Sequence, residues 1–215
     1  MSLRELFSQK RDKDLITIPL SPSEMYRCEK AIEKFDIPYL GKNADLYQIA
    51  KELNLDVEET EDLPDGKIAC LAPPDIGSSK YGKILLKGSN KDNGRFAHEL
   101  VHYYIDVGIG NTVKATYYRD EDFSINDGPI TEQRAEYIAI TCSFPLSYRQ
   151  LSEKLLKADE EGSGLSGRMQ LVNALSEEYS ISSADVLRRV VEVRDIDRYR
   201  ISKRETPSTS FYVES

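Results

Sequence analysis

The chain has 215 residues, 31% of them charged and 40% hydrophobic, with a formal net charge of −8. That length and apolar share suit one domain, or one domain with a small appendage. The acid excess argues against a general affinity for nucleic acid or anionic membrane surfaces, and no apolar run approaches the ~20 residues that span a bilayer.

The leading MSLRELFSQKRDKD is basic but has no long apolar stretch behind it, so no secretory signal is expected. Cys28, Cys70 and Cys142 are odd in number, far apart and without a CxxC spacing. Such a set predicts reduced, buried thiols in a cytoplasmic protein, not a disulfide framework.

The first twenty residues read as a frayed lead or a short arm. A first helix is expected from about Ser23 to Phe35, with Ser21 as the capping oxygen, Pro22 at the first helical position and Glu24 in the first turn. The turn segment DIPYLGK follows. Asn43 is the expected cap of a second helix, in which Leu46, Ile49, Ala50 and Leu53 keep the i, i+3, i+4, i+7 spacing. Three short strands are expected next, over Leu55–Glu58, Lys67–Leu71 and Lys83–Lys87. Each is bounded by Pro, Gly and Asp turn residues, and together they predict a small antiparallel sheet.

A polar loop over 90–94 leads into RFAHELVHYY, residues Arg95–Tyr104. Gly108 and Gly110 end that helix. Residues 111–130 read as an acidic loop. Its alternating Asp120, Asp122, Ser124 and Asn126 suggest calcium, but the sixth position of an EF-hand loop must be Gly and here is Ile125. A fourth helix fits Thr131–Phe144, limited by Pro145, and another fits Ser147–Lys157. The run EGSGLSG is a flexible joint. Helices over Arg168–Tyr179 and Ser183–Val193 form a helix-turn-helix hairpin. Only Arg188 and Arg189 make it basic, so it is read as a cover for the core and not as a DNA-binding element. The tail beyond Asp195 is expected to be extended. The expected organisation is an arm and helix (1–42), a central domain (43–160), a C-terminal helical pair (161–195) and a tail (196–215).

The chemistry concentrates in Arg95–Tyr104, which holds the chain's two histidines, His98 and His102. Four residues apart on a helix, they lie on one face and can share a metal ion. Glu99 stands one position on, where a carboxylate reaches the metal's water as a general base. This is the HExxH arrangement of zinc hydrolases. The pattern arises by chance on the order of once in a thousand such chains. A catalytic zinc site takes three protein ligands, and no third histidine exists, so the third ligand must be a carboxylate from another element. The fourth helix offers Glu132 and Glu136. Asp106 lies on the same helix as the histidines and fits less well.

These segments resemble the ImmA/IrrE family of metallopeptidases. Members typically carry an arginine-aromatic lead into AHELGH, then a helix of the form E-x-x-A-N-x-F-A-A-x-L-L-M-P. Here the matching segments are Arg95–His102 and Glu132–Pro145, with further likeness over Lys83–Lys87 and Leu171–Val190. The resemblance implies Zn2+ bound by His98, His102 and Glu132, with Glu99 as base. It implies an α+β fold in which a small antiparallel sheet precedes a zincin-like helical core and a C-terminal helical pair. It also implies a cytoplasmic regulatory endopeptidase whose partner is a DNA-binding helix-turn-helix repressor, with no direct nucleic-acid or membrane binding. The alternative is an interaction module that keeps the fold and controls its partner by binding. Three departures stand out: Val101 replaces the usual Gly, Glu136 replaces Asn or Asp, and Ser143-Phe144 replace Leu-Met. Glu136 is expected to orient His98 or His102. Tyr103, Tyr104, Tyr137 and Arg134 are the candidate electrophiles for the oxyanion. The strand Lys83–Lys87 is the expected edge for an extended substrate.

Overall fold

A computed structural model of the chain describes residues 20–88, 93–120, 128–161 and 165–204. Those residues form an α+β structure with one four-stranded mixed sheet and seven α-helices. They divide into two compact units, one holding residues 24–147 and the other the helices from Tyr148 onward. Among the described residues no helix is long and apolar enough to cross a membrane.

In the first unit, α1 spans Pro22–Phe35, starting at the proline because its missing N–H costs nothing in a first turn. Helix α2 spans Leu46–Glu52, and its cap is Asp45, not Asn43. The Asp45 carboxylate accepts a 3.0 Å hydrogen bond from the Gln48 N–H. Strands β1 (Leu55–Thr60), β2 (Lys67–Ala72) and β3 (Gly82–Lys87) follow. Helix α3 runs Asn93–His102 and widens into one π-helical turn over Tyr103–Val107. The Gly108 N–H closes that turn on the Tyr103 carbonyl at 2.8 Å, with φ of 85°, where glycine avoids the Cβ penalty. Strand β4 (Tyr117–Asp120) and helix α4 (Ile130–Cys142) complete the unit.

The sheet order is β1-β3-β2-β4, with β1 parallel to β3 and the other pairs antiparallel. The expected all-antiparallel sheet is therefore corrected to a mixed one. Strand β3 lies in the middle, both of its hydrogen-bonding sides taken by β1 and β2, so it is not a docking edge. The sheet's edge strands are β1 and β4, and β4 falls inside the expected loop 111–130. Most of the acidic alternation in that loop, residues 121–127, lies outside the described residues.

Registered neighbours show how α3 is seated. Ala69 pairs with Leu86, and Leu71 with Ile84, and all four are buried. Same-parity residues share a face of a sheet, and α3 packs against β2, β3 and β4. Phe96, Ala97, Leu100 and Val101 supply the helix side, with Leu100 and Val101 fully buried. Each such side chain contributes roughly 1.5–3 kcal/mol against exposure. Val101 is thus an ordinary core residue here. The opposite face of the sheet carries a smaller cluster of Leu63, Cys70 and Ala72, with Leu85 against it.

In the second unit, α5 (Tyr148–Glu161), α6 (Leu165–Tyr179) and α7 (Ser183–Arg204) pack on one another. Helix α7 continues well past Val193, correcting the expected extended tail over its first part. Val186, Val190, Val193 and Ile196 are fully buried at helical spacing, and the stripe keeps the helix anchored. Asp197 accepts hydrogen bonds from Tyr148 and from Ser152, the latter at 2.8 Å, tying α7 to α5.

Candidate metal centre

His98 and His102 lie on the buried side of α3, 0% and 1% exposed, and their Nε2 atoms are 3.0 Å apart. Helix α4 packs against α3 and brings Glu132 across to them. Its Oε2 lies 3.0 Å from His98 Nε2, and its Oε1 lies 3.2 Å from His102 Nε2. These three residues are a group able to hold a metal ion.

The dimensions can be tested against a metal. A tetrahedral ion with ligands at ~2.0–2.1 Å has ligand atoms about 3.3–3.4 Å apart. Separations of 3.0 to 3.2 Å are a little shorter than that, so a small outward shift of the donors is all the site requires. The outer nitrogens fit too. His98 Nδ1 is 2.8 Å from Glu136 Oε2, and His102 Nδ1 is 2.6 Å from Asp106 Oδ2. With the Nδ1 hydrogens donated to these carboxylates, an assignment made from the bonding network, both Nε2 lone pairs face Glu132 and each other.

Glu99 supplies the third test. It is 1% exposed, and neither carboxylate oxygen meets a hydrogen-bond partner among the described residues. A buried, unpartnered carboxylate is costly, which marks a position kept for something other than packing. Burial pushes the Glu99 carboxyl above the usual range, opposed by the positive charge of His98, His102 and Arg119. Burial also disfavours the His102 imidazolium, but the carboxylates of Asp106 and Glu132 outweigh it and push the ring up to about 10. His98 moves in the same direction, through Glu132 and Glu136. Despite burial, the two imidazoles hold Glu132 well below the usual carboxylate range. A cluster of acids this eager for positive charge at two imidazoles is the electrostatic profile of a cation site.

Three of the expected electrophiles have partners of their own. The Tyr103 hydroxyl donates to the Asn111 carbonyl at 3.1 Å. Burial raises Tyr104 to about 12, among Cys142, Glu52 and Asp36. The Tyr137 hydroxyl donates to Glu29 Oε1 at 2.9 Å, on the α1 side of α4. Arg134 grips Glu24 Oε2 through Nε at 2.9 Å and Nη2 at 2.6 Å. None of these bonds, from Tyr103, Tyr137 and Arg134, brings its polar atom to the histidines.

Two β4 residues unanticipated in the sequence do stand at the cluster. The Tyr117 ring stacks on His102, with centroids 5.4 Å apart and planes at 24°. Arg119 Nη1 is 3.1 Å from Glu136 Oε2. The run Thr116-Tyr117-Tyr118, β-branched and aromatic, is the strand signal that marks this segment. Asp106, set aside as a ligand, instead holds His102 from the far side. Comparison of the chain with protein-family models, with characterised proteins and with solved structures finds no match.

Proposed function

We propose that the chain is a zinc-dependent peptide hydrolase of the ImmA/IrrE-like kind, with His98, His102 and Glu132 as metal ligands and Glu99 as general base. The observation that carries this reading is the buried, unpartnered Glu99 carboxylate beside a His-His-Glu triangle of metal-site dimensions. A bound metal ion would supply Lewis acidity and lower the pKa of its water.

The chain's own residues do the rest. Glu99, its carboxyl raised by burial, accepts a proton at a carboxylate oxygen and later delivers it to the leaving amine. Glu136 and Asp106 fix the two imidazole rings and their tautomers, so that each presents Nε2. Strand β4, not β3, is the sheet edge beside the ligands, and an extended peptide segment can add to it by backbone pairing. The substrate class that follows is a protein segment in extended form, and the resemblance points to a helix-turn-helix repressor as its source, in the cytoplasm.

The test is Glu99→Gln, which keeps size and removes the base. The zinc-loaded wild type should cleave its target, while the variant should bind zinc and target but not cleave. Full function in the variant would refute hydrolysis and leave control by binding as the explanation.

A further inference from the structure

Tyr117 and Arg119 are alternate residues of one strand, so their side chains share a face, and that face meets His102 directly and His98 through Glu136. The Glu136 oxygen that receives Arg119 Nη1 at 3.1 Å is the same Oε2 that lies 2.8 Å from His98 Nδ1. Arg119 Nη1 also reaches the Gly94 carbonyl at the start of α3, at 3.5 Å. One guanidinium thus touches α3 and α4 from the sheet edge. The surroundings are mostly shielded from water, with Arg119 and Glu136 side chains 14% and 11% exposed. Glu136 and Glu132 stand one turn apart on α4 and both face His98. Two carboxylates so close repel each other unless a cation offsets one. Among the described residues the ionic partners of Glu136 are His98 and Arg119.

We propose that Arg119 is a positioning residue of the metal site, acting through Glu136 to hold the His98 ring, and that Tyr117 does the same for His102 by stacking. This rests on the metal-site reading above. Arg119 Nη1 orients Glu136 Oε2, and the oriented Oε2 fixes Nδ1–H and so the direction of Nε2. The strand that borders the substrate edge thereby sets the geometry of both imidazole ligands.

The test uses the full chain loaded with Co2+, followed by visible absorption and by competition with a chelator. Arg119→Gln should weaken Co2+ binding roughly 10- to 100-fold and shift the cobalt bands, the range typical for partners of ligating histidines. Arg119→Lys, which restores charge without the fork, should recover part of the affinity. Combined with Glu136→Gln, the Arg119→Gln change should cost nothing further, because the pair acts as a unit. Wild-type affinity and spectrum in Arg119→Gln, or additive losses in the double variant, would overturn the proposal. Should Arg119→Gln fail to fold, Arg119→Lys decides: altered bands support the proposal, and unchanged bands overturn it. If Glu132→Ala abolishes binding while Arg119→Gln changes nothing, the ligand set stands and the positioning role falls. If the wild type binds no Co2+, both fall together.

Discussion

Replacing Glu132 by Ala removes both oxygens that face the histidine Nε2 atoms, at 3.0 and 3.2 Å, and leaves two imidazoles with no third ligand. The consequence for metal-linked stability can be worked through. With free zinc at a thousand times its dissociation constant, binding stabilises the wild type by about 4.1 kcal/mol. In a chain of this size each kcal/mol moves the melting temperature by ~2–4 °C, so zinc should raise it by about 8–16 °C. Losing a ligand should weaken binding by at least about a thousandfold, beyond the ~10- to 100-fold seen for outer partners. The same zinc concentration then equals the variant's dissociation constant and contributes only about 0.4 kcal/mol, or ~1–2 °C. Melting curves of both proteins with zinc and with chelator, read by fluorescence, check this. An equal zinc-induced rise in Glu132→Ala, or no rise in the wild type, would refute the ligand assignment.

Glu99→Gln should leave the zinc-induced melting shift intact and lower peptide cleavage by about 10²- to 10⁴-fold, the usual contribution of a general base, measured by single-turnover cleavage. Arg134→Ala should cost on the order of 1 kcal/mol near pH 7, since its carboxylate partner Glu24 is only partly shielded. The Arg134 guanidinium holds Glu24 below its usual 4.5. A depressed carboxylate contributes fully above the unfolded value and loses that contribution as pH falls through the folded value. The difference between wild type and variant in urea unfolding should therefore be present at pH 7 and shrink below about pH 4.5. Cys28 and Cys70 are buried, and burial pushes their thiols up to about 12 and about 11. Iodoacetamide at pH 8 should leave both unmodified in the native chain and label both in urea, as read by mass spectrometry.

How much of this could be read from the chain depends on the range of the interaction. Helix-borne features were legible because they are local. The i, i+4 spacing places His98 and His102 on one face, and the Pro22 start and Gly108 stop mark their helices without knowledge of the fold. Likewise, Val186, Val190, Val193 and Ile196 spell the stripe that carries α7 beyond its expected end, a signal present in the sequence but outweighed by the charged residues around it. Strand partners were not legible in the same way. That β3 sits between β1 and β2 depends on pairing across the sheet, for which the short apolar runs carry no address. Strand β4 is only four residues long, beside an acidic run, and its Tyr117 and Arg119 gain meaning only once α3 lies beneath them. The candidate electrophiles show how far a side chain can point from its neighbours in sequence. Tyr103 follows His102 and Tyr137 follows Glu136, yet they direct their hydroxyls to a loop carbonyl and to α1.

The sheet order bears on how the chain comes to be folded. Strand β3 lies between β1 and β2 but is made after both, so the two earlier strands cannot pair with each other and then admit it. Until Gly82–Lys87 has left the ribosome, Leu55–Thr60 and Lys67–Ala72 have no native neighbour, and their unpaired backbones are open to other chains. Chains that have emerged only as far as residue 81 should therefore be the aggregation-prone stage of synthesis, whereas those with residue 87 outside the ribosome can close three strands at once. A pause that holds Gly82–Lys87 inside the ribosome while the two earlier strands stand outside would lengthen that exposure, so codons read well after residue 87 become as relevant to yield as any core side chain.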